Sequence, residues 1–334
     1  MRILFALGNT EETGGWANYA RNLEREFSSR GMVVETHAYT PGVRAFPSGL
    51  RHLLYGLRLI IPATRADVVF AIDTWSTGLP AVLVTLMVRR PLVVRVGGDF
   101  LWEQYVERTG EPVKLSEFYN TERTLSIKER IVHLGTRFLT RHAHIAFNTA
   151  WLRDLWSEPY SLRHEQVAVI ENVFPARQKG IPPVKKNFVA AGRPIRLKNE
   201  LLMREVFTDL QAVYPDIELD TRPLPSEEHQ RRVASCYAVV LASVSDVAPN
   251  SVIDAVVHGK PFIAPKDTGL SDRLENTGLF IDTLDREAFA DAIRTLLDPE
   301  AYERIAERVR AVTYVREWKT VADEFESLFR RVAT

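Results

Sequence analysis

Two rounds of short apolar runs alternating with helix-length amphipathic stretches, separated by one proline-rich break, constrain this chain more than any other feature. In the first round, residues 3–7, 33–38, 67–72, 92–96, 144–147 and 167–170 read as strands. Residues 16–30, 80–87 and about 151–156 read as helices between them. The break at 172–186 holds Pro175, Pro182, Pro183, Gly180 and a cluster of basic residues, the composition of a linker. The alternation then restarts, with strands at 187–191, 217–220, 237–242, 261–264 and 278–281, helices at about 200–213 and 249–258, and helices from 286 to the end. Strands that alternate with helices form parallel sheets covered on both faces. The expected fold is α/β: two Rossmann-like, doubly wound parallel-sheet domains facing a central cleft, with ligands at the carboxyl ends of the strands. Residues 1–173 make the first domain, 174–186 the linker and 187–314 the second domain, and a helix at about 315–334 follows.

Composition excludes several function classes. With 43 basic and 43 acidic residues the chain has no overall charge to attract nucleic acid. The single cysteine, Cys236, rules out a disulfide framework and a Cys-rich zinc site, and favours a reducing compartment. The apolar start at residues 1–7 is too short for a signal-peptide core. The longest apolar run, 79–88, ends at Arg89-Arg90 and is too short to span a bilayer. A cytoplasmic protein is expected, peripheral on the inner face of the membrane if it meets one.

The chemistry concentrates in residues 243–261, SVSDVAPNSVIDAVVHGKP. Asp246 and Asp254 stand eight residues apart, with Pro249, Asn250 and Ser251 between them. Pro in the first turn and Gly259 at the stop frame a helix over about 249–258. The start of such a helix offers unpaired N–H groups and a positive dipole end, a site for an anion. Two carboxylates beside a phosphate-binding N-terminus fit a nucleotide-sugar. The strand at 187–191 runs into a loop holding Gly192, Arg193 and Lys198. Those cations suit a diphosphate, Arg by forked hydrogen bonds and Lys as a point charge; solvated surface charge is the equal alternative.

Taken jointly, Gly192-Arg193-x4-Lys198, Asp246-x7-Asp254-Ala255 and Gly259-Lys260-Pro261 resemble the donor domain of the retaining GT-B glycosyltransferases of family 4, the glycosyl transferases group 1. The family pattern is Gly-Arg-x4-Lys, then Glu-x7-Glu-Ala and Gly-x-Pro. The Gly14-Gly15 turn before the first helix, the strand ending in Gly97-Gly98-Asp99, the Val169-Ile-Glu-Asn172-Val segment and Trp318 in the last helix extend the resemblance along nearly the whole chain. It implies a hexosyltransferase that moves a sugar from a UDP- or GDP-linked donor to a saccharide or lipid-linked acceptor in cell-surface polysaccharide synthesis. The anomeric configuration would be retained, and no cofactor or metal would be needed. The lack of an Asp-x-Asp motif agrees with the last point. By resemblance, Arg193 and Lys198 hold the diphosphate and Asp254 the ribose, Asp246 faces the transferred sugar, and Gly14, Gly15 and Gly192 let backbone approach the donor. Both family glutamates are aspartates here, each shorter by a methylene. The histidine common after the fourth strand is missing, and Asp99 is the expected substitute.

Asp73, Trp75, Trp102 and Glu103 follow strands of the first half and, with Asp99, are the acceptor candidates, because aromatic faces beside carboxylates suit sugar rings; a tryptophan filling the core is the plain alternative. His142 and His144 look ligand-like but lack a third partner and read as structural. Residues 44–65 interleave Arg44, Arg51, Arg58 and Arg65 with leucines and isoleucines at helical spacing. That pattern suits an anionic membrane surface and, equally, a helix packed on the sheet with solvated arginines. Two other functions fit the architecture: a nucleotide-sugar epimerase of the same fold, and a non-catalytic two-lobed sugar-binding protein, which would be expected to carry a signal peptide.

Overall fold

Strand β1 (Arg2–Leu7) buries every residue after its first, and such a run needs cover on both faces. The computed structural model, which describes residues 1–8, 15–190, 195–224 and 226–333, supplies that cover with helices. In chain order β1 is followed by α1 (Gly15–Ser29), β2 (Val33–Ala38), α2 (Pro41–Arg44), α3 (Ser48–Arg65), β3 (Val68–Ala71), α4 (Leu79–Val88) and β4 (Leu92–Val96). Next come α5 (Phe100–Thr109), α6 (Leu115–Phe118), α7 (Ile127–His142), β5 (His144–Phe147), α8 (Ala150–Ser157) and β6 (Val167–Val169). The second round is β7 (Lys186–Ala190), α9 (Glu200–Gln211), β8 (Ile217–Asp220), α10 (Ser226–Ser235), β9 (Ala238–Val240), α11 (Asn250–Val257), β10 (Phe262–Pro265) and β11 (Leu279–Ile281), closed by α12 (Arg286–Leu297), α13 (Pro299–Arg310) and α14 (Trp318–Ala333).

The described chain forms two units. The first holds residues 1–101, 123–173 and the stretch from Glu317, and the second holds Trp102–Glu122 and Phe174–Arg316. The first unit's sheet has the order β2-β1-β3-β4-β5-β6, parallel throughout. Phe5 and Phe70 point to one face, where Phe27 of α1 and Phe325 and Phe329 of α14 close over them in edge-on and tilted ring contacts of 5.0–6.2 Å. Arg30 fastens α1 to α14 by pairing with Asp323 at 2.6 Å and Glu326 at 3.2 Å. On the other face α3, α4 and α7 lie side by side. At Gly56 α3 packs against Pro80 and Val84 of α4, where a Cβ would sit in ordinary van der Waals contact at 3.7–3.8 Å. Helix α7 starts at a capping box in which Ser126 and Glu129 satisfy each other's backbone N–H groups. The outer stripes of these three helices are apolar: Leu53, Leu57 and Ile61, then Leu83, Leu86 and Met87, then Ile127, Ile131 and Leu134 are all exposed.

The second unit's sheet has the order β11-β10-β9-β7-β8, again parallel throughout. Strand order reverses between β7 and β9, so the loops leaving their carboxyl ends diverge and open a crevice between them, the usual ligand position in such sheets. The expected boundary at 173/174 puts Trp102–Glu122 in the first domain, whereas the structure groups this segment with the second unit. Polar contacts hold it there. The Leu115 N–H donates to Ser245 Oγ at 2.8 Å, Glu107 accepts from the Leu197 N–H at 3.2 Å, and Lys114 pairs with Asp282 at 2.6 Å. Among the described residues no helix is long and apolar enough to cross a membrane.

Candidate active site

The two loops at the β7/β9 reversal are the two that carry the sequence motifs. After β7 the chain makes a 3-10 turn over Arg196–Lys198 and leaves it through Asn199 in the left-handed conformation (φ 47°), which Asn tolerates better than most residues. Leu197 is buried, and its carbonyl accepts the Val244 N–H at 2.9 Å, tying this loop to the one after β9. Asn199 Nδ2 donates to the Thr283 carbonyl at 3.1 Å and fixes the far side of the turn. Lys198 Nζ is thereby delivered to Asp246 Oδ2, at 2.6 Å and from 48 residues away. The Asp246 backbone is itself anchored, since its N–H donates to the Asp267 carbonyl at 3.1 Å. Asp267 Oδ2 in turn accepts from Ser245 Oγ at 2.5 Å and from the Ser116 N–H at 3.3 Å.

Four residues beyond Asp246 helix α11 begins. Pro249 stands at its N-cap rather than in its first turn, and no side chain caps the helix. The first N–H groups, on exposed Asn250 and buried Ser251, therefore keep the anion-binding character of an uncapped N-terminus. Gly259 follows the helix with φ +64°, as the sequence led us to expect. Asp254 lies in the second turn and is mostly buried. Burial raises its carboxyl from 3.8 to about 6, opposed by a hydrogen bond from Gln230. Gln230 of α10 donates through Nε2 to Asp254 Oδ1 at 2.5 Å and receives His258 Nε2 on its Oε1 at 3.0 Å. His258 is thus a donor at Nε2, and its Nδ1 is buried with no hydrogen-bond partner among the described residues. His229 Nε2 stands 3.7 Å from Asp254 Oδ2, and burial keeps the pKa of both histidines below the usual value. This is a carboxylate held by one amide from behind, close to the protonation range of a neutral solution.

The other expected site residues fall out differently. Gly14, Gly192 and Arg193 lie outside the described residues, and Gly15 is the first residue of α1. Asp73 caps its own helical turn: its carboxylate accepts the N–H groups of Ser76 and Thr77 and both of their hydroxyls. Trp75 is half-buried, stacked on Phe100 at 6.0 Å. Asp99 is 1 % exposed and accepts the indole N–H of Trp156 at 2.7 Å. Trp102 is 4 % exposed and donates its indole N–H to the Val113 carbonyl at 2.7 Å. The structure thus corrects the picture of Trp102 as a loop aromatic awaiting a sugar. It lies inside helix α5, and its ring is covered. Glu103 is half-buried in the first turn of the same helix. His142 donates from Nδ1 to the Phe138 carbonyl of its own helix at 2.9 Å, and His144 is a strand residue with a buried Nδ1. Among the described residues no three His, Cys, Asp or Glu side chains gather as metal ligands.

Sequence reasoning missed Glu107, Ser245, Asp267 and Gln230. All four act across long sequence separations, and only Ser245 lies inside a stretch that the motifs single out. Arg95 was also missed. It is buried in β4, with its guanidinium 4.0 Å from the Tyr19 ring centroid and donating to Asn172 Oδ1 at 2.6 Å. It joins two segments that the family resemblance had used separately.

Residues 169–299, which span β7 to α12 and include Lys198, Gln230, Asp246, Asp254 and Asp267, match the family model of the glycosyl transferases group 1. Solved structures agree over the full length. HepE of Anabaena in complex with UDP-glucose superposes with a TM-score of 0.73 at 14 % identity, covering 99 % of this chain and 100 % of that one. The fold is GT-B. The sucrose-phosphate synthase of Thermosynechococcus elongatus gives 0.71 at 14 % identity, with 99 % and 98 % covered. WaaG, a glycosyltransferase involved in lipopolysaccharide biosynthesis, gives 0.69 at 13 % identity, with 98 % and 99 % covered. No curated protein matches the chain in sequence. This GT-B chain therefore bears out the resemblance to the group 1 glycosyl transferases that its motifs suggested.

Proposed function

We propose that the protein is a glycosyltransferase that moves a sugar from a nucleoside-diphosphate donor to a saccharide or lipid-linked acceptor, with retention of anomeric configuration and without a metal. The observation that carries this reading is the Lys198–Asp246 pair at 2.6 Å, brought together at the strand-order reversal just before the uncapped start of α11. A structural ion pair needs neither the reversal nor the bare helix start, whereas a donor diphosphate uses both. The neighbouring structure of HepE with UDP-glucose supports a uridine donor.

In this reading Lys198 exchanges Asp246 for the diphosphate, and the N–H groups of Asn250 and Ser251 after Pro249 meet a phosphate oxygen. By the family resemblance, Arg193, Gly192, Gly14 and Gly15 are assigned to the same donor. Charge that develops on the departing diphosphate is met by donors already in place, the arrangement that stabilises a transition state most effectively. The leaving phosphate takes the acceptor hydroxyl proton as the new glycosidic bond forms on the face it vacates, so no enzyme nucleophile is required. Asp246, released from Lys198, accepts hydroxyl hydrogens of the transferred sugar, and Asp254 accepts those of the ribose. Trp75 and Glu103 are the residues assigned to the acceptor; Asp99 and Trp102 serve as interior anchors.

A thermal-shift panel of UDP, GDP, ADP and their sugars tests the proposal, because a ligand that binds only the folded state raises its melting temperature. One nucleoside diphosphate should stand out, and Lys198→Ala should abolish its effect. Equal indifference to all of them would overturn the reading.

A further inference from the structure

We infer that the outer surface of the α3–α4–α7 layer is a docking face for an anionic lipid surface. The three helices neighbour one another in the order α3, α4, α7 on one side of the first unit's sheet. Each turns one apolar stripe outward at helical spacing, with Ile61 64 %, Met87 71 % and Ile127 79 % exposed at their most open positions. Nine large aliphatic side chains stand exposed on adjacent helices, and clustered exposed apolar side chains mark interaction surfaces rather than ordinary solvated ones. Something covers this face when the protein works.

Charge decides what does. The three helices and the Arg89-Arg90 pair that ends α4 carry eight arginines and one lysine. Against them stands one acid, Glu129, which is 1 % exposed and consumed in the α7 capping box. In a chain whose acids and bases balance at 43 each, this layer is a local extreme. A second copy of the same face would set these cations against each other, and no acid on these helices could answer them. A nucleic acid would meet the cations and leave the leucines wet. A membrane with anionic headgroups satisfies both: aliphatic side chains enter the headgroup boundary while arginines reach phosphates, each basic residue near the surface adding roughly fivefold to affinity. The expectation drawn from residues 44–65 alone is thereby enlarged to three helices, and in this inference α3 both packs on the sheet and faces the lipid. α3 buries Tyr55, Leu59 and Ala63 inward and keeps Leu57 and Ile61 for the lipid. The inference does not rest on the transfer reading, since docking needs neither donor nor turnover.

Flotation of the full chain with vesicles tests it. The protein should float with mixed phosphatidylcholine–phosphatidylglycerol vesicles, stay behind with phosphatidylcholine alone, and be released by high salt. Two variants remove the two components separately: Leu57→Ser with Met87→Ser and Leu134→Ser, and Arg58→Glu with Arg65→Glu and Arg89→Glu. Each should lower binding at least about tenfold, with a melting temperature within a few degrees of the parent because all six side chains are exposed. Failure of the parent to float with the anionic vesicles, or undiminished flotation of both variants, would overturn the inference. So would a dimer in sedimentation that the serine variant dissociates, which would assign the face to self-association.

Discussion

Asp254→Asn gives the sharpest test of the site's electrostatics, because the change keeps shape and removes only charge. Burial raises the Asp254 carboxyl from 3.8 to about 6, so the folded state holds this proton more tightly than the unfolded chain does. The stability linked to that proton is complete below the unfolded value and is lost as pH rises through the folded one. The shift implies a penalty for the folded state of about 3 kcal/mol at pH 8, where the carboxylate is ionised and buried, and about 1.6 kcal/mol at pH 5. An asparagine carries no such penalty and still accepts from Gln230 Nε2. Urea unfolding of both proteins at the two pH values should therefore show Asp254→Asn gaining more at pH 8 than at pH 5, by about 1.4 kcal/mol. Titrating groups remote from Asp254 are common to both proteins and cancel in the difference. The same change should weaken nucleoside-diphosphate binding, and in the parent that binding should fall as pH drops through about 6. A stability difference that is identical at pH 5 and pH 8 would refute the assignment of a raised carboxyl to this residue.

Further outcomes follow from the same geometry. Lys198→Ala should lose ~10²–10³-fold in transfer rate, the scale for removing one preorganised donor, measured as nucleotide release with the best donor; near-normal turnover would remove Lys198 from the site. Gln230→Ala should weaken nucleoside-diphosphate binding by calorimetry and Gln230→Glu should weaken it further, because a second carboxylate at 2.5 Å from Asp254 Oδ1 repels it. Ser245→Ala strips the acceptor from the buried Leu115 N–H and should lower stability by about 1–3 kcal/mol in urea unfolding. Phe325→Ala in α14, a fully buried ring on Phe70, should cost about 3–5 kcal/mol by the same assay.

Much of the fold was legible because periodicity reports how each element buries its own face. β8 at Ile217–Asp220 and the stop of α11 at Gly259 emerge where the pattern put them. The start of α11 shifted by a residue because Pro249 serves equally well at an N-cap or in a first turn. Helices α5 and α10 were not legible. α10 carries six charged, imidazole or amide-bearing residues in a row, EEHQRR, with no stripe to read, yet it supplies Gln230. Trp102 misled because an aromatic after a strand looks the same whether its ring is to be covered or left open, and only the Val113 carbonyl decides.

By itself the sequence determined that two parallel α/β units exist, and it singled out Lys198, Asp246 and Asp254 as candidates for one site. The tertiary structure decided which strands are neighbours. With β9 beside β7, rather than beside β8 as chain order would suggest, the two motif loops share one crevice and Lys198 reaches Asp246. It also gave Trp102–Glu122 to the second unit, set Gln230 behind Asp254, and aligned three apolar stripes into one basic face. The reason is physical: hydrophobic pattern is a property of one element and its own solvent exposure, while pairing, ion contacts and shared surfaces arise between elements far apart in the chain.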